Sequence, residues 1–155
     1  MTLKALVTLI ILAAYAPALA QQAQQCDAAA FREAVAAASA SIKAIHEKNS
    51  RIFQENIQKL RAINKWQDKE FVIRATPFVQ DETTATFDTV NQALLSKVET
   101  LDSANAATES GRCAMLTELK ASLEKVVANT AAKWDHMLTK IEQATTQPLQ
   151  AGFAQ

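Results

Sequence analysis

Two cysteines, Cys26 and Cys113, are the residues of this chain best suited to covalent chemistry. They lie 87 positions apart, which excludes the C-x-x-C spacing of a thiol redox centre or a zinc knuckle. In an oxidising compartment two lone cysteines are expected to pair, and closing so long a loop stabilises a fold by up to about 4–5 kcal/mol. We therefore predict a disulfide; the alternatives are an intermolecular bridge or two reactive thiols.

The histidines and glycines give no pattern that is typical of an enzyme. A di-iron bundle needs a glutamate three residues before each histidine, but Lys43 precedes His46 and Lys133 precedes His136. The chain holds only two glycines, whereas phosphate-binding loops and nucleophile elbows need several. We predict that the protein is not an enzyme and that it carries no cofactor and no metal ion.

The charge balance gives no indication of a polyanionic partner. The 155 residues include 16 basic and 16 acidic side chains, so the formal net charge is zero. Several carboxylates, among them Glu47, Glu55 and Glu124, lie three or four positions from a basic residue, which is typical of a solvated helix surface. We therefore predict no nucleic-acid partner, and the length fits a single domain.

The first twenty residues have the pattern of a signal peptide. Lys4 precedes an apolar run from Ala5 to Ala16, which is too short to span a membrane, and Ala18-Leu19-Ala20 is an A-x-A cleavage site. We predict cleavage after Ala20 and a periplasmic or secreted protein; the alternative is an N-terminal membrane anchor. No other apolar stretch approaches 18 residues, so we predict no integral membrane segment after cleavage.

The mature chain has the periodicity of long helices. No glycine or proline occurs between Asp27 and about Glu70, and Asp27 can cap the first helix. Apolar residues recur there at helical spacing, as in a coiled coil. They are Phe31, Val35, Ala38, Ile42, Ile45, Ile52, Leu60 and Ile63. Asn49 and Asn56 interrupt this stripe; they could mark a helix break near Asn49 or set the register of a homo-oligomer.

Two further helices follow from the same periodicity. The last is the clearest, because apolar residues step by three and four from Leu116 to Ile141 before Pro148 ends the helix. A shorter helix is predicted from about Thr83 to Ala104. Its apolar face carries Phe87, Val90, Leu94, Val98 and Leu101.

The segment between the first two helices breaks the helical pattern. It is rich in β-branched and aromatic residues, and Pro77 cannot lie inside a helix. If the first helix reached residue 70, it would exceed the second by roughly 30 Å, which an extended chain over residues 71–82 could cover. We therefore predict an extended connector.

These elements predict an all-α fold: an elongated up-down-up three-helix bundle with coiled-coil-like packing and one disulfide. Helices one and three then start at the same end, which brings Cys26 and Cys113 together. The bundle would cover residues 27–147, with disordered tails at 21–26 and 148–155. A four-helix bundle is the alternative if the first helix breaks near Asn49.

Two sets of residues could bind a partner or ligand. Phe71, Ile73, Phe78 and Val79 in the connector could form an apolar contact site for another protein, or they could cap the core. Trp66, Trp134 and Met137 could line an apolar pocket, or they could be core residues.

The sequence therefore favours a non-enzymatic exported protein that acts through protein–protein interaction, as an adaptor, a chaperone-like protein or an envelope-associated factor. The alternative function is carriage of a small apolar ligand between the helices.

Overall fold

A computed structural model describes residues 26–101 and 107–146, and all regular structure in these ranges is helical. The helices are α1 (Ala28–Ile63), α2 (Asp68–Ala75), α3 (Glu82–Glu99) and α4 (Glu109–Thr146), and a single 3₁₀ turn, Thr76–Phe78, follows α2. The predicted all-α fold is confirmed. The predicted signal peptide and, except for Cys26, both predicted tails lie outside the described residues.

The first and last helices run parallel, as the up-down-up topology requires. The predicted disulfide joins their starts, with the Cα atoms of Cys26 and Cys113 4.9 Å apart. Further along, the rings of Phe53 on α1 and Trp134 on α4 meet edge to face with centroids 6.4 Å apart. The disulfide fits a protein of an oxidising compartment. No described helix is long and apolar enough to cross a membrane.

Helix α3 returns antiparallel to α4. Near its start Asp81 contacts Lys140, and near its end Lys97 forms an ion pair with Glu118 at 2.8 Å. Both α1 and α3 pack extensively on α4, whereas contacts between α1 and α3 are sparse. Helix α4 is therefore the central element, and the other two long helices lie side by side on it.

The core follows the predicted apolar stripe of α4 and gathers into two clusters. The disulfide-end cluster consists of Cys26, Ala38, Leu116, Leu119 and Leu123. The distal cluster, at the opposite end of the bundle, consists of Ile57, Leu60 and Ile141. Val126 and Met137 of the same stripe are also buried. Because α4 packs against two helices, its apolar face is the most completely buried one.

The apolar stripe of α1 is only partly buried. The helix is continuous across Asn49, whose side-chain amide donates to the carbonyl of Ile45, so the proposed break is wrong. Val35 and Ile63 are about half exposed, at 49% and 50%, whereas Ile57, which the stripe omitted, is buried. The reason is that α1 packs closely against α4 alone among the long helices. It therefore buries a narrower face than a helix of a closed bundle, which contacts two neighbours.

Helix α1 ends seven residues earlier than predicted. The turn that ends it lacks the glycine that usually occupies such a position. The backbone N–H of Lys65 donates to the carbonyl of Ala62, and that of Trp66 donates to the carbonyl of Arg61. This pair of bonds is a Schellman motif, and its left-handed position is held by Lys65 with φ at 54°. The early end reverses the chain at the distal end of the bundle.

The extended connector predicted over residues 71–82 is therefore wrong, because most of it is helical. A capping box starts α2: Gln67 and Glu70 each bond the backbone of the other. Pro77 is accommodated in the first turn of the 3₁₀ segment, where its missing N–H costs no hydrogen bond. No long gap needs to be bridged at this end, since α1 stops at Ile63 and the chain continues as α2 and the 3₁₀ turn up to Phe78.

Replacing both cysteines, Cys26→Ser with Cys113→Ser, is expected to lower the free energy of unfolding by up to about 4–5 kcal/mol. The disulfide restricts the unfolded chain, because it closes a loop of 87 positions. Urea denaturation followed by circular dichroism measures the change. An unchanged midpoint would contradict a stabilising role for the bridge.

Lys65→Gly is expected to stabilise the protein by about 0.5–1 kcal/mol, because glycine adopts a positive φ without the steric cost that lysine pays. The matched control is Lys69→Gly, the same replacement inside α2, which is expected to destabilise. Thermal unfolding of both variants checks the pair. If both lower the melting temperature equally, the left-handed turn is not a source of strain.

Candidate functional site

Helix α2 is fixed on the distal end of the bundle by its aromatic neighbours. Phe71 and Phe78 are half-buried and pack, with Ala75, against the distal cluster. The guanidinium of Arg61 lies 5.0 Å from the centroid of the Phe71 ring and also pairs with Asp68 at the start of α2. The short helix is therefore held on both sides, from the core below and from the end of α1.

The other side of this segment exposes aliphatic side chains. Val72 is 70% exposed, Ile73 is 74% exposed and Val79 is 37% exposed. We call Val72, Ile73 and Val79 the α2 patch. Val72 and Ile73 are the most exposed of the large hydrophobic residues in the described chain. Exposed apolar residues that are adjacent and held on ordered backbone are typical of contact sites.

The four residues predicted to bind a partner are thus divided between two roles. Phe71 and Phe78 face the core, as a cap would, while Ile73 and Val79 face outward. Sequence reasoning missed Val72, because an extended chain alternates sides at every residue and a helix does not. Reading the segment as a helix would have placed Val72 and Ile73 opposite Phe71 and Ala75.

Near the α2 patch the cations outside ion pairs outnumber the carboxylates outside ion pairs, which are Glu70 and Glu82. The carboxylate of Asp68 is taken by Arg61, and that of Glu70 accepts from the backbone N–H of Gln67. The exposed cations nearby form no ion pair with any described residue. They are Lys65, Lys69 and Arg74. An approaching surface would meet aliphatic side chains with a small excess of positive charge near them.

The three residues predicted to line an apolar pocket differ in their burial and in their contacts. Met137 is buried, and Trp134 is half-buried with its ring at the edge of His46, centroids 5.4 Å apart. Trp66 packs against the distal cluster and lines a small depression of about 300 Å³. The other walls of that depression are mostly polar, among them Arg61 and Lys65.

Two larger grooves lie at the disulfide end, where sequence analysis placed no ligand. The α1–α4 groove, about 500 Å³, lies beside the alanine-rich start of α1. It is lined by Ala30, Glu33, Ala34, Ala37, Ala38, Ser41, Lys120, Leu123, Glu124, Val127 and Ala128. The α1–α3 groove, about 620 Å³, lies on the other side of α1. It is lined by Phe31, Arg32, Val35, Ala36, Ser39, Val98, Leu101, Met115 and Leu119.

A polar cluster around Asp81 joins the start of α3 to α4. One carboxylate oxygen accepts from the backbone N–H of Thr84 at 2.8 Å, which caps α3. The other lies 2.8 Å from Nε2 of His136 and accepts from Nζ of Lys140. The Lys140 ammonium, the Thr84 N–H and His136 hold the pKa of Asp81 well below its usual range. Lys140 also donates to the carbonyl of Pro77, so the cluster positions the segment that carries the α2 patch.

A second polar contact lies further along the same interface. The side-chain amide of Asn129 donates to Oδ1 of Asn91 at 2.8 Å and to the carbonyl of Phe87 at 2.9 Å. Lys133 pairs with Asp88 one turn away. These bonds fix the register of α3 on α4. Sequence reasoning missed them, because an isolated asparagine or aspartate on a helix does not reveal a partner some forty positions away.

Lowering the pH is expected to weaken the fold through Asp81. Its pKa is depressed in the folded state, so its stabilising effect is complete above the unfolded pKa and declines as the pH falls below about 4. Asp81→Asn is expected to lower the melting temperature at neutral pH and to flatten its dependence on pH in the acid range. Asp135→Asn, an exposed neighbour on α4, is the control. Equal pH profiles for the wild type and Asp81→Asn would refute the assignment.

No family model, curated protein or solved structure matches the chain. Within residues 26–101 and 107–146 there is no group of three or more histidine, cysteine, aspartate or glutamate residues that could hold a metal ion. Among the features of the described chain, the α2 patch and the grooves at the disulfide end are candidate contact sites.

Proposed function

We propose that this is an exported, non-enzymatic binding protein that contacts a partner protein through the α2 patch. The observation that carries the proposal is the exposure of Val72 and Ile73, 70% and 74%, on a helix whose opposite face is packed on the core. Two aliphatic side chains that remain exposed do not contribute hydrophobic free energy to folding. A contact with another molecule is the simplest explanation for their exposure on an ordered helix.

The surroundings of the α2 patch favour an acidic partner segment with apolar residues. Lys65, Lys69 and Arg74 lie close to the patch in the sequence, are exposed and form no ion pair with a described residue. Carboxylates on the partner would speed association and orient it, while aliphatic or aromatic residues would cover Val72 and Ile73. The patch lies at one end of an elongated molecule, which suits an adaptor or a chaperone-like protein.

Export is supported by two independent features. Residues 1–20 have the composition of a cleaved signal peptide, with Ala18-Leu19-Ala20 at the cleavage point. The disulfide between Cys26 and Cys113 fits a compartment in which thiols oxidise. We propose the periplasm or the cell exterior as the location.

A second candidate function is carriage of a small apolar ligand. It is favoured by the α1–α3 groove, which leaves Val35 on α1 half exposed beside Val98 and Met115. The groove lies at the end of the bundle opposite the α2 patch, so the two candidate functions make separate predictions.

The partner can be found by placing a photo-crosslinking amino acid at Ile73 and, separately, at Leu95 in the exported protein. Leu95 is the matched control, an aliphatic residue 44% exposed on α3. We expect one protein to be crosslinked from position 73 and not from position 95. The crosslinked protein is then purified and titrated against the wild-type protein.

Substitution of the patch tests that interaction directly. Val72→Asp with Ile73→Asp is expected to weaken binding of the purified partner at least about tenfold, because two apolar contacts are lost and acidic groups are introduced. Leu95→Asp should bind as the wild type does. Phe78→Asp is unsuitable, since Phe78 packs against the distal cluster. Equal binding by the double variant would overturn the proposal, and so would attachment to anionic lipid vesicles without a protein partner.

A further inference from the structure

The α1–α3 groove arises from the way the bundle is built. Helices α1 and α3 both pack on α4 and make sparse contact with one another. Leu119 of α4 is buried and Met115 is half-buried, while Phe31 and Val35 form one wall and Val98 the other. The result is an apolar trough of about 620 Å³, within the size range of sites that bind small molecules.

Among the residues that the structure describes, Arg32 is the one charged side chain lining this trough. Its neighbours three and four positions away on α1 are Ala28, Ala29, Val35 and Ala36, so no acidic residue on its own helix can neutralise it. It forms no ion pair with any other described residue. A guanidinium that pairs with no described carboxylate and lies beside an apolar surface is suited to a ligand with an anionic head and a hydrocarbon body.

We propose that the α1–α3 groove binds a single-chain carboxylate amphiphile, such as a long-chain fatty acid. The hydrocarbon chain lies along Val35, Val98 and Met115, and the carboxylate pairs with Arg32. The inference rests on the second candidate function, carriage of an apolar ligand, and gives it a site and a ligand class. It is independent of the α2 patch.

The α1–α4 groove, on the other side of α1, differs from the α1–α3 groove in the charges that line it. It is of similar size, but its charged residues are Glu33, Glu124 and Lys120, so carboxylates predominate there. An anionic head group would be repelled by two of these three side chains. The same helix therefore separates one groove that suits a fatty acid from another that does not.

The test is a titration of the full-length mature protein with hexadecanoate and with hexadecanol, followed by calorimetry and native mass spectrometry. The wild type is expected to bind hexadecanoate more tightly than the alcohol. Arg32→Gln should weaken hexadecanoate binding about tenfold and leave the alcohol unaffected, because a charge-assisted hydrogen bond is lost. Val35→Glu should abolish binding of both. Circular dichroism is expected to show all variants folded, since both positions are exposed.

Two control variants locate the site. Ala37→Glu introduces the same charge into the α1–α4 groove and should leave hexadecanoate binding unchanged. Val72→Asp with Ile73→Asp alters the distal end and should also leave it unchanged. If hexadecanoate binding is lost in either control and kept in Val35→Glu, the ligand binds elsewhere on the protein. That result would overturn the proposed site but not the proposal that the protein carries an apolar ligand. Failure of the wild type to bind either probe overturns both the site and the carrier function, but not partner binding at the α2 patch.

Discussion

The packing of two helices on one side of α4 is the constraint on which the rest of this structure depends. Helix α4 supplies most of the buried residues, and it packs against α1 with one face and against α3 with another. The disulfide fixes the α1–α4 interface where the two helices start, and the Asp81 cluster fixes the α3–α4 interface at the distal end. Helices α1 and α3 are therefore held mainly by α4 and make only sparse contact with each other.

This arrangement accounts for both candidate binding features. With 18 residues, about 27 Å at 1.5 Å per residue, α3 is far shorter than α4, and the α1–α3 groove lies near its last residues, at the disulfide end of the bundle. At the distal end the reversal of the chain at Lys65 turns α2 across the core. Phe71 and Phe78 close that end of the bundle, and the α2 patch is the remaining face of the same helix. One end could thus hold a small molecule while the other contacts a protein.

The sequence predicted the long helices because their signals are local. The three- and four-residue spacing from Leu116 to Ile141 needs no knowledge of a partner, and most of that stripe is buried. The segment around Phe71 and Pro77 was misread, because intrinsic preference favoured an extended chain while the capping box and the contacts of Phe71 with the core stabilise a helix. The grooves could not be predicted, since they depend on how far apart two helices lie on a third.

The sequence by itself determined that three long helices form, that the last one has the most regular apolar stripe, and that Cys26 and Cys113 can pair in an up-down-up topology. Periodicity and the order of elements suffice for those conclusions. The tertiary structure alone decided where α1 ends, which face of α2 is exposed, and that Arg32 stands beside an open apolar trough. The physical reason is that exposure and charge neutralisation are properties of neighbours distant in the chain, which no local pattern records.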